Sequence, residues 1–196
     1  MVSSSIKSRE IRFGECNKRL LEEIIFYGIS LGADFVELFI ENSDNSSVLA
    51  EEDFITSVSP SFGKGAGIRI FKDKRDGFVS TNDLSRHGLM RSVSQAIEML
   101  DISKKSSNSI FNGLKKLKNY SEPKIDWINE VPTINEVSEK LLLSTKSLKK
   151  NKKVVVRKGS YSRNWQEVII ASSDGTYATD IRLHQTVGLN IIANDA

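Results

Sequence analysis

Cysteine is nearly absent from this chain of 196 residues: Cys16 stands alone, which excludes an internal disulfide and any cysteine-rich zinc site and agrees with a reducing compartment. Histidine is almost as scarce, with only His87 and His184. The two are not placed as a His-Glu-x-x-His pair on one helix face, so a helix-borne zinc site is excluded. No apolar run approaches the roughly 20 residues that a membrane helix needs. The first thirteen residues, with Lys7, Arg9, Glu10 and Arg12, lack the apolar stretch of a secretory signal. A strong charge of one sign is missing too: 28 basic residues against 25 acidic ones leave a net charge of +3, which does not call for a nucleic-acid partner. Lys104, Lys105, Lys115, Lys116 and Lys118, and the run from Lys146 to Lys158, have no aromatic residues interleaved as a base-stacking platform would. They read as solvated faces and a cationic helix end. Cytoplasmic location and no membrane contact follow as expectations.

What is present fits a folded domain, with 39% hydrophobic and 27% charged residues. Leu20, Leu21, Ile24, Ile25 and Leu31 recur at helical spacing and predict an amphipathic helix over 17–31, stopped by Gly32. The run Phe35–Ile40 predicts a strand closed by a turn at Asn42–Ser46. Short strands follow at 47–51, 54–59, 68–71 and 78–80, linked too tightly for parallel crossovers. Asn82 or Asp83 is the expected cap of a second helix whose face carries Leu89, Val93, Ala96, Ile97 and Leu100. Residues 103–123 read as a long connection. Thr133 with Glu136 forms a capping-box pattern opening a third helix to about Lys149. Strands at 153–161, 165–172 and 177–193 then surround an Asp174-Gly175 hairpin. The fold class is α+β: a mainly antiparallel sheet flanked by about three helices over 1–150, followed by the start of a second β-rich domain over 151–196.

No complete catalytic constellation is legible, and no catalytic or metal residue is assigned. Gly63-Lys64-Gly65-Ala66-Gly67 leads into a strand, whereas a phosphate loop leads into a helix, and it lacks a dinucleotide fingerprint. Its glycines permit close backbone approach. Gly65, Gly67 and Arg69 are therefore the candidate substrate-binding residues, on an edge that could take an extended peptide as an added strand. For Arg69 a structural ion pair is the competing reading.

Three stretches, Gly32-Ala33-Asp34-Phe35-Val36-Glu37-Leu38, Gly65-Ala66-Gly67-Ile68-Arg69 and Gly77-Phe78-Val79-Ser80-Thr81-Asn82-Asp83-Leu84-Ser85, resemble in order and spacing the N-terminal domain of the TldD/PmbA family, once described as modulators of DNA gyrase. The last string is nearer the TldD branch. The hairpin at Asp174-Gly175 and the strand from Leu183 to Asn190 also fit where that family enters its second domain. The resemblance implies a cytoplasmic zinc peptidase that degrades unfolded peptides, matures peptide antibiotics and removes antitoxins. It implies a PmbA-type partner subunit or a homo-oligomer. The family's His-Glu-x-x-x-His helix lies in its C-terminal half and matches no position here, so zinc is expected of the full-length family member and no cofactor of this chain. The chain then reads as a front portion, natural or fragmentary, that shapes substrate passage and subunit contacts. The alternative is a non-catalytic peptide-binding or assembly module.

Overall fold

The computed structural model describes residues 16–100, 109–117 and 131–194. The expected connection at 103–123 is described only over 109–117, and Lys104, Lys105, Lys118 and the polar N-terminus fall outside. In chain order the elements are α1 Lys18–Ser30, β1 Phe35–Glu51, β2 Phe54–Lys72, β3 Arg75–Thr81, α2 Arg86–Met99, β4 Lys115–Lys116, α3 Ile134–Leu148, β5 Val154–Ser172 and β6 Thr176–Ala193. The strands form one sheet in the order β3-β2-β1-β5-β6-β4. β3 is antiparallel to β2, and the short β4 is parallel to β6. The α+β class holds, with three helices among the described residues and a mixed, mostly antiparallel sheet.

The long strands replace the expected chain of short ones, because polar side chains that usually favour turns find partners across the sheet. Asn42 Nδ2 donates to Glu167 Oε2 at 3.2 Å. Arg163 donates to Asp44 at 3.1 Å, and Asn164 donates to Asn45. The expected turn at Asn42–Ser46 is therefore strand, and so is the break between Tyr161 and Trp165. Pro60 lies in the part of β2 beyond the Ala66–Lys72 stretch that pairs with β3.

Two compact units share the chain. One comprises 1–42, 63–122 and 167–181, the other 43–62, 123–166 and 182–196. In the first unit α1 and α2 bury Leu21, Ile24, Ile25, Leu89 and Val93 against Val36, Leu38, Ile68 and Ile70. Each such side chain contributes roughly 1.5–3 kcal/mol on transfer from water. Asn17 Oδ1 caps α1 by accepting from Leu20 N at 3.0 Å. Gly32 at φ 102 ends the helix as expected. The cap of α2 is Ser85, whose Oγ accepts from Gly88 N at 3.1 Å, in place of Asn82 or Asp83.

The β2–β3 turn is tighter than the expected Lys72–Gly77. Asp73 and Lys74 alone make it, both at positive φ, and Asp34 holds it. Asp34 Oδ1 accepts from Lys72 Nζ at 2.8 Å and Oδ2 from Asp73 N at 3.1 Å. A carboxylate far away in sequence thus supports a turn that lacks the usual Asn-Gly pair. The Asp174-Gly175 hairpin forms as expected, with Gly175 at φ 98 and Asp174 Oδ1 accepting from Thr176 N at 2.9 Å.

In the second unit α3 carries the full capping box: Glu136 N donates to Thr133 Oγ1 at 3.2 Å and Thr133 N donates to Glu136 Oε2 at 2.8 Å. Its buried Val137 and Leu141 pack on Val48, Ala50 and Tyr161. The β1–β2 turn is tied to the end of α3 by Arg157. This guanidinium pairs with Glu52, reaches Asp53 at 3.4 Å, and donates to the Thr145 carbonyl at 3.1 Å.

Candidate functional site

The glycine-rich stretch lies inside β2. Ala66 to Lys72 pair with Thr81 to Arg75 of β3, and β1 lies on the other side in the strand order. Gly67 and Arg69 therefore present no open edge, contrary to the edge expected there, because the tight Asp73-Lys74 turn folds β3 back onto them. Close packing explains the glycines. A Cβ at Gly67 would stand 3.0 Å from the Phe78 ring, and one at Gly65 would stand 3.0 Å from Asn82 Oδ1 and 3.1 Å from the Thr81 carbonyl. Arg69 makes the structural ion pair: its guanidinium is 3.1 Å from Asp76 Oδ2 and stacks 4.6 Å from the centre of the Phe71 ring.

The string from Gly77 to Ser85 builds the entry to α2. Asp83 N donates to Thr81 Oγ1 and Ser85 N to Asp83 Oδ1, both at 3.1 Å. A Cβ on Gly88 would fall 2.5 Å from the Asp83 carbonyl, so only glycine lets the loop close over the first helical turn. Hydrogen bonds from Ser85 hold the Asp83 carboxyl below the usual carboxylate range, helped by Arg91 and His87. The motif is thus accounted for by local geometry.

Among the described residues metal donors do not converge. His87 is exposed in the first turn of α2 and His184 is exposed on β6. Cys16 is buried and donates its thiol to the Leu84 carbonyl at 3.3 Å. Among the described residues no three His, Cys, Asp or Glu side chains could hold a metal ion.

Concave surface instead gathers in the second unit. A cavity of about 340 Å³ lies between α3 and β6, lined by Val137, Leu141, Tyr161, Gln185 and Val187, with Lys140 among its lining residues. Tyr161 Oη donates to Gln185 Oε1 at 2.8 Å, and burial raises the phenol's pKa above its ordinary value. A second cavity of about 350 Å³ is lined by Leu49, Thr56, Lys158, Ser160, Gly188 and Asn190. Within it Lys158 Nζ is 3.0 Å from Glu51 Oε1. Neither cavity includes Gly65, Gly67 or Arg69. Only the two-residue alternation of β6 hinted at them, and alternation alone does not reveal which neighbours leave space.

Two family patterns match the chain: PmbA/TldA metallopeptidase domain 1 over residues 36–100, and the PmbA/TldA metallopeptidase central domain over 119–196. The metalloprotease TldD homologue of Buchnera aphidicola is 20% identical over 172 residues, covering 83% of this chain and 33% of its own length. The TldD homologue of Haemophilus influenzae is 20% identical over 164 residues, covering 83% and 34%. The chain thus spans about a third of the length of these curated relatives. Among solved structures, TldE from Thermococcus kodakarensis superposes with a TM-score of 0.70 at 21% identity, covering 90% of this chain and 40% of its own. A protein described as a modulator of DNA gyrase from Thermotoga maritima gives 0.71 at 14% identity, covering 91% and 40%. At such identities these structures establish the fold alone. With both family patterns matched in order over most of its length, the chain belongs to the PmbA/TldD metallopeptidase family.

Proposed function

We propose that this chain serves a TldD-like zinc metallopeptidase of the cytoplasm that acts on unfolded peptides, and that its part is to shape substrate passage and subunit contacts. The observation that carries the reading is the ordered match to domain 1 and the central domain of the metallopeptidase family, in a chain whose described residues bring no metal donors together. Zinc would then be held by parts of the assembly outside these residues, and a PmbA-type subunit or a second copy is the partner. Membrane insertion through helices has no support, since no described helix is long and apolar enough to cross a bilayer.

The test is hydrolysis of carboxymethylated, permanently unfolded casein with zinc present. The chain alone is expected to bind this substrate without cleaving it. Cleavage by the chain alone would overturn the division of labour proposed here, and absence of any casein binding would overturn the peptide-handling role. An assembly module without affinity for peptides is the reading that would then remain.

A further inference from the structure

Residues 109–117, the described part of the lysine-rich connection, lie along the first unit as a strap. Of these nine residues Leu114 alone is buried, at 4% exposure within the core of that unit. Phe111 packs on the same core from a half-buried position. Ile110, Asn112, Lys115, Lys116 and Leu117 are exposed. One leucine is thus the main apolar anchor of the whole stretch.

Around that anchor the strap donates and the body of the unit accepts. Ser109 Oγ donates to the Asp34 carbonyl at 2.7 Å, and Leu114 N donates to Glu22 Oε1 of α1 at 3.0 Å. Lys115 N donates to the Gly175 carbonyl at 2.7 Å and Leu117 N to the Tyr177 carbonyl at 2.9 Å. The last two bonds make β4 a parallel addition to β6 at Thr176 and Tyr177. Gly113, at φ 85, bends the chain just before Leu114. A Cβ there would stand 3.6 Å from Glu22 Oε1, an ordinary contact, so backbone shape and not space calls for glycine. Donors meeting sheet carbonyls while one side chain fills a pocket is the way an extended peptide adds to a sheet. Ordering each residue of the strap costs conformational entropy, and one buried leucine with a few hydrogen bonds offsets little of it. Segments anchored so sparsely open without the rest of the fold.

We propose that residues 109–117 are a releasable strap occupying a site for an extended, leucine-bearing segment, and that the Glu22 carboxylate is its latch. Release bares the Gly175 and Tyr177 carbonyls, the Glu22 carboxylate and the place of the Leu114 side chain. A separate peptide presenting the same leucine and the same main-chain donors then fills the site. The chain's own strap competes with it, which makes the strap an autoinhibitory contact. Such a site would exist whether or not the chain serves a peptidase.

Native-state amide exchange of the full chain tests the release. The Lys115 and Leu117 amides should exchange about tenfold or more faster than those of Ile24 and Ile25 in α1, at a rate that low urea leaves unchanged, since opening the strap exposes little surface. Glu22→Ala should quicken the strap amides by about a further tenfold. Strap amides that share the core's rate and its urea dependence would make the strap a fixed part of the core and overturn the proposal. The site itself is tested with a fluorescein-labelled nonapeptide of the strap's own sequence, Ser-Ile-Phe-Asn-Gly-Leu-Lys-Lys-Leu, by fluorescence anisotropy. It should bind the Leu114→Ala chain about tenfold or more tightly than the unaltered chain, and the same peptide with alanine for its central leucine should not bind. Fast strap exchange without peptide binding to Leu114→Ala would overturn the site. Should Leu114→Ala fail to fold, the peptide is titrated against Glu22→Ala, whose exposed side chain on α1 can be lost without opening the core, and absence of binding there counts equally against it.

Discussion

Replacing Arg157 by methionine tests how the second unit is held together. In a regular helix the Thr145 carbonyl would accept from Lys149 N, but that N–H donates to the Lys146 carbonyl at 3.1 Å. Arg157 supplies the missing donor to a residue that is fully buried, answering the need of a helix C-terminus for cationic partners. Methionine retains most of the stem's packing, so the loss is chiefly electrostatic. A buried carbonyl left without its donor costs about 1–3 kcal/mol, and a hydrogen bond from a charged donor lies in the upper part of that range. Glu52 and Asp53 are solvated well enough to recover their hydration, so their release adds little. The expected destabilisation is about 2 kcal/mol, or a fall in Tm of about 4–8 °C for a chain of this size. Urea unfolding measures the energy, and amide exchange should show loss of protection confined first to the last turn of α3. A change below about 0.5 kcal/mol, or one spread evenly over both units, would refute the reasoning. Arg157→Lys should recover part of the loss, because one ammonium can serve the carbonyl but not the carboxylates as well.

Other consequences are sharper in sign than in size. Gly28→Ala places a Cβ 2.7 Å from Val36 Cγ2 where α1 crosses β1, and should cost about 1–3 kcal/mol by chemical denaturation. Thr133→Ala removes the α3 capping box and should cost about 1 kcal/mol, read as fraying of that helix by amide exchange. The Asp34 carboxyl is held below its ordinary pKa, first by the Lys72 ammonium and then by the Asp73 amide. A depressed folded-state pKa stabilises above the unfolded value of about 3.9 and loses that contribution as pH falls through the folded value. Asp34→Asn should therefore flatten the acid limb of a stability-against-pH curve below about pH 4, and an unchanged limb would show that the Lys72 pair is not felt.

The helices were legible because each rests on local signals: the apolar face of α1, the glycine that stops it, and the Thr133–Glu136 box. The Asp174-Gly175 turn was legible for the same reason. What the sequence hid depends on partners far along the chain. Asn42, Asp44 and Asn45 have the composition of a turn and become strand because Glu167, Arg163 and Asn164 lie across from them. Asp73-Lys74 closes a hairpin because Asp34 supports it. Gly65, Gly67 and Arg69 stood out as a rare local pattern, yet packing and an ion pair account for them. The cavities beside β6 were invisible because ordinary valine, leucine and serine residues line them.

Zinc stoichiometry of the purified chain tests the central claim most directly. Under the function proposed above the metal lies outside these residues: His87, His184 and Cys16 are the only imidazole and thiol donors in the sequence, and among the described residues no three His, Cys, Asp or Glu side chains gather to hold a metal ion. After exposure to zinc and exhaustive dialysis, mass spectrometry should find only trace metal. One tightly held zinc per chain would contradict the account.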